Sequence, residues 1–162
     1  MQGFGGILQV DGYARYNRLI VPDRSGPGIQ LAYCWAHARR KLIEITRTGP
    51  APIAEEGVAL IHDLYAISAD IRGNDPAIRL AAREERSVPI LARLEDWLRH
   101  HRARASAKLP LGEALTYIAK YRDGLGRGCV ETRRRGRLGC DLGWQQVPCK
   151  RAVKILVPWS QR

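Results

Sequence analysis

The sequence contains no run of about 18 apolar residues, the length a helix needs to cross a lipid bilayer, and its first residues lack the basic-then-apolar pattern of a secretion signal. Both absences point to a soluble, intracellular protein. Cysteine is scarce too. Cys34, Cys129, Cys140 and Cys149 are too sparse for a disulfide scaffold, and no two of them form the C-x-x-C pair expected of structural zinc. Cys34 and His37 do form a C-x-x-H, but it is half a site without a second half. The chain is also short of acid: 16 Asp+Glu stand against 27 Lys+Arg, giving a formal charge of +11 and a pI of about 10.1. An excess of that size favours a polyanionic partner, most often nucleic acid.

What is present fits a folded domain. Hydrophobic residues make up 45% and charged residues 27% of the 162, enough for one domain with its own core, with or without a tail. The charge is unevenly spread: residues 1–121 carry 17 basic and 13 acidic groups, whereas residues 122–162 carry 10 and 3. Most of the excess therefore lies in the last quarter.

Residues 7–11, ILQVD, read as a short strand behind Gly5 and Gly6, with Asp11 at its C-terminal end and a helical turn after Gly12. The loop-like PDRSGPG at 22–28 separates it from IQLAYCWAH, a second strand running into a helix whose Ala38, Leu42 and Ile45 share one face. After TGPAP at 48–52 the pattern is helical. Val58, Ile61, Leu64, Tyr65 and Ile71 form one stripe. Asp75 and Pro76 cap and open a second helix, and Pro89 is expected to open a third with Leu94, Trp97 and Leu98 inward. Pro110 opens a last one through Leu111, Leu115 and Ile118. Helices of this kind persist by packing, so a small bundle is expected. Beyond Gly124 neither period survives, and glycine, arginine, cysteine and tryptophan concentrate; RAVKILVPW is the one strand-like run.

Three places can carry chemistry. Asp11, at a strand end beside a glycine, is either a metal-ligating carboxylate or the first half of an Asp-Gly turn. His37, Arg40 and Lys41, at steps of three and four, either present an imidazole and two cations to phosphate oxygens or form a solvated helix face. RRRGR at 133–137 is either a basic arm for nucleic acid or part of an unstructured tail. His62, His100 and His101 read as ordinary surface or edge histidines.

Two blocks, LQVDGYxxYN and CWAHxRRK, followed by LIHDLYAISADIRG, DPAIRLAAREERSVPIL, DWL and LGEALTYIAKYRDGL, resemble the central part of transposases of the insertion sequence 66 family, collinearly over residues 3–126. The resemblance implies an incomplete ribonuclease-H-like α/β core at 1–47, a mostly α-helical insertion bundle at 53–125, and an irregular basic tail at 126–162. It implies DNA transposition by phosphodiester cleavage and strand transfer, with Mg²⁺ or Mn²⁺ held by Asp, Asp and Glu. Asp11 looks like the second of these acids, and Arg39, Arg40 and Lys41, with His37 beside them, look available to DNA phosphates. DNA at the ends of the insertion sequence, and an intact transposase, are the implied partners, in the bacterial cytoplasm at the nucleoid.

The chain departs from the pattern twice. No strand bearing the first aspartate precedes Gly5, and where DGR-[LIV]-EIDxNxxER should follow YRDGLGR the sequence reads GCVETRRRGRLGCDLGWQQ. Glu131 and Asp141 do not occupy that pattern. The expectation is a truncated chain, out of frame from about residue 127, inactive alone because one of three acids remains. A catalytically dead module that binds DNA or transposase, with the tail as a basic arm, is the alternative.

Overall fold

The computed structural model describes residues 6–10, 14–20, 28–130 and 154–156. Strand β1 (Gly6–Val10) leads through a 3-10 helix (Ala14–Leu19) to β2 (Ile29–Tyr33), which runs parallel to it, Gly6 opposite Ile29 and Val10 opposite Tyr33. Leu8 and Val10 on β1 and Ile29 and Leu31 on β2 are buried on one face, and Ala32, which follows Leu31 and so points to the other face, is buried as well. A third strand, β3 (Lys154–Leu156), pairs antiparallel with β1, so β1 is central in the order β2-β1-β3. This strand falls within RAVKILVPW, and its pairing gives β1 a neighbour on both sides.

Four helices follow: α1 (Trp35–Thr46), α2 (Pro52–Asp70), α3 (Pro76–Arg102) and α4 (Pro110–Val130). Each carries the apolar stripe its sequence predicts. Leu42, Ile61, Leu64, Leu115 and Leu125 are fully buried where the helices meet, with Trp97 and Leu98 beside them. Starts and stops are set locally. Prolines open α2, α3 and α4, where the missing N–H costs no hydrogen bond. Gly73 turns the chain between α2 and α3 at φ 87°, and the Asp75 carboxylate accepts from Ala77 N at 2.8 Å to cap α3.

Two expectations need correction. Pro89 does not open a separate helix; it lies inside α3, which runs unbroken for 27 residues. Proline in a helix interior forfeits one hydrogen bond and crowds the preceding turn, yet Ser87 before it and Leu94, Trp97 and Leu98 after it are buried along the same helix. Splitting the helix would uncover one of these groups. The second correction concerns the expected start of the irregular tail: α4 continues past residue 126 to Val130, and Cys129, 2% exposed, belongs to the bundle core.

Close approach at three glycines joins these parts. A Cβ on Gly57 would lie 2.6 Å from the Trp97 ring, and one on Gly124 would lie 2.2 Å from the Tyr33 ring and 2.9 Å from the Leu31 carbonyl oxygen. A Cβ on Gly112 would lie 2.0 Å from the Ser106 carbonyl oxygen. Gly124 thus lets α4 rest directly on β2. The architecture is mostly helical, with a small parallel pair of strands feeding it, and is compatible with a fragment of an α/β fold.

Candidate nucleic-acid interface

Parallel strands deliver their C-terminal ends to one edge, and ligands of open α/β sheets gather at such edges. Here β1 ends at Val10 opposite Tyr33, and one residue beyond Tyr33, at Cys34, the chain turns into α1. Asp11 immediately follows Val10 in the chain and lies outside the described residues. His37, Arg39, Arg40 and Lys41 occupy the first two turns of α1, so the helix carries its cations next to the strand edge.

The helix does not present all four on one face. Successive residues rotate by about 100°, so Arg39 and Lys41 diverge by about 200°. Arg39 is half-buried in a groove between α1 and α2 of about 500 Å³, shared with Thr46, Glu55, Val58, His62 and Asp63. Lys41 is exposed on the side towards α4, its Nζ 5.4 Å from the centre of the Tyr117 ring, a cation–π distance. Arg40 is exposed, and half-buried His37 falls between it and Lys41 on the helical wheel. One flank of α1 therefore gathers His37, Arg40 and Lys41, the three residues joined by helical spacing. Arg39 faces carboxylates on the other.

The start of α1 is held by α4. Trp35 Nε1 donates to the Leu125 carbonyl oxygen at 3.1 Å and lies 3.0 Å from Cys129 Sγ, while Arg127 Nη1 donates to the Leu31 carbonyl oxygen at 2.9 Å. Burial pushes the Cys129 thiol up to about 12, outweighing the Trp35 hydrogen bond and the nearby Arg83 charge, so it stays neutral. Burial also raises Tyr33, reinforced by the Tyr121 phenol and opposed by Arg127; the two tyrosine rings lie 4.4 Å apart. These contacts fix the helix that carries the cations relative to the strands.

Sequence reasoning missed Arg79, Arg83 and Arg127. Arg79 and Arg83 are 5% and 3% exposed, on the inward stripe that continues through Ser87 to Leu94 and Leu98. The helical period already places them there; a reading that counts every arginine as surface charge overlooks it. Arg127 had no such signal, because its acceptor is a carbonyl on a strand distant in sequence.

Among the described residues no group of three or more His, Cys, Asp or Glu is arranged to hold a metal ion. The described side chains do not by themselves fit a divalent cation. None of the described helices is long and apolar enough to cross a membrane.

Comparison with known proteins gives the family. The family described as transposase IS66 matches residues 1–134. The uncharacterized protein y4qI of Sinorhizobium fredii (strain NBRC 101917 / NGR234) is 35% identical over 136 residues, covering 82% of this chain and 25% of the relative. The uncharacterized proteins y4jD and y4hP of the same strain are 34% and 33% identical, covering 77% and 80% of this chain. The chain spans about a quarter of the length of these curated relatives. No solved structure matches. Because the family match spans residues 1–134 of the 162, the chain belongs to the IS66 transposase family.

Proposed function

We infer that this chain is the segment of a DNA transposase that carries one metal-holding carboxylate, Asp11, and a phosphate-contacting helix, α1, and that by itself it holds DNA without cutting or joining it. The observation that carries this reading is the collinear family match over residues 1–134. It is supported by the placement of the conspicuous blocks, one leaving β1 and the other opening α1 where β1 and β2 end level. The exposed cations Arg40 and Lys41 suit phosphate oxygens, which position a duplex without reading its sequence.

In this reading residues 1–47 belong to a ribonuclease-H-like core and residues 53–125 to a helical insertion, and α4 ties the two together. Mg²⁺ or Mn²⁺ is the ion for the family reaction. One matching acid is too few: Mg²⁺ keeps its water shell unless several oxygen ligands converge. The chain alone is therefore expected to show no turnover.

A strand-cleavage and strand-transfer assay on insertion-sequence-end DNA with Mg²⁺ or Mn²⁺ tests this. No product is expected. Product formation that Asp11→Asn abolishes would refute the inactivity and support the metal assignment in one step.

A further inference from the structure

Charge is not confined to α1. Between Asp96 and Glu113 the sequence carries Arg99, His100, His101, Arg102, Arg104 and Lys108 and no acid. This stretch is the last turn of α3, the connection 103–109 and the start of α4. It lies at the far end of the bundle from the strand edge, because α1 leaves that edge at Trp35 and runs about 18 Å at 1.5 Å per residue before α2 begins. His101 Nε2, 3.5 Å from Glu56 Oε2, ties the end of α3 to the start of α2.

The connection is built. Arg104 N and Ala105 N both donate to the His101 carbonyl oxygen, at 3.1 and 2.9 Å, and Leu109 N donates to Ser106 O at 3.1 Å. The Ser106 carbonyl rests against Gly112, where any Cβ would collide with it. The backbone that spaces these cations is thus clamped to the first turns of α4.

The cations are also available. Arg102 and Lys108 are exposed and make no ion pair among the described residues. Arg99 lies 3.2 Å from Asp96, but with side chains 71% and 73% exposed that pair is weak. Arg104 Nη1 lies 3.2 Å from His100 Nε2, which supplies no negative charge of its own. A helix C-terminus carries roughly half a negative charge. Four cations exceed what it needs, leaving a surplus that faces solvent.

We propose that this turn is a second contact for the DNA backbone, independent of α1, that engages a duplex through Arg102, Arg104 and Lys108 with Arg99 beside them. The proposal rests on DNA being the partner, as inferred above. Duplex DNA fits better than a lipid surface because the one large apolar side chain exposed among these residues, Leu109, offers little to bury in a bilayer.

The test is salt-dependent binding of the full chain to a fluorescent duplex. Each phosphate contact contributes about 0.9 to the slope of log affinity against log salt. The triple variant Arg102→Gln, Arg104→Gln, Lys108→Gln should lower the slope by about 2 to 3, and Arg40→Gln with Lys41→Gln should lower it separately. An unchanged slope in the triple variant, with loss in the α1 variant, would overturn the second contact and leave the function reading intact. Absence of binding by the parent chain at 50 mM salt, or no effect of either variant, would overturn both.

A second measurement needs no variant. Bound duplex should protect Lys108 from acetylation, with exposed Lys120 as the internal reference. Equal labelling with and without duplex, or protection by anionic vesicles but not by duplex, would refute the proposal.

Discussion

The bundle and the sheet differ in how much of their stability each makes for itself. Among the described residues, the bundle core gathers fifteen buried side chains from four helices, whereas β1 and β2 bury Leu8, Val10, Ile29 and Leu31. At about 1.5 to 3 kcal/mol for each large apolar side chain taken out of water, the second cluster is a minor contribution against the cost of ordering its backbone. The strands therefore lean on the bundle through the α4 contacts at Gly124 and Arg127 and through Trp35. The strand edge of the candidate interface belongs to the weaker region, and its geometry is inherited from the stronger one.

The largest test of this contrast is Trp97→Ala. Trp97 is 4% exposed and packs against Gly57, so its removal should cost about 3 to 5 kcal/mol and unfold strands and helices together in urea. A sheet that retained its exchange protection after the bundle melted would break the contrast. Next is Gly124→Val, which forces a side chain between α4 and β2 and should cost about 1 to 3 kcal/mol. Here the loss should be selective: amide exchange should quicken at Leu8 and Leu31 while Ile61 and Leu64 stay protected. Uniform loss would mean the two regions form a single cooperative unit. Smallest is Asp75→Ala, which removes the 2.8 Å cap of α3 and should cost about 1 kcal/mol. Its effect should stay in the first turns of α3, leaving the strands unchanged by hydrogen exchange.

Much of the fold is legible in the residues. Asp75-Pro76 and Pro110 mark helix starts because capping and proline act within a turn, and the stripe from Ile61 to Ile71 needs only the helical period. The candidate interface is legible in part. The spacing of His37, Arg40 and Lys41 places them on one flank, but it does not reveal that Arg39 enters a groove with Glu55 and Asp63. That depends on where α2 docks. Asp11 remains a reading of the sequence, outside the described residues.

The sequence alone determined the helix starts, the apolar faces and, through its match over residues 1–134, the family. The tertiary structure decided that Pro89 is tolerated within one helix, that β3 pairs with the far side of β1, and that α4 continues past residue 126 to Val130. Each of these outcomes sets a local preference against burial contributed by residues far away in sequence. A residue's own propensity is worth about 1 kcal/mol, or about 3 for proline, whereas a packed helix face is worth several times that. The larger, non-local contribution prevails.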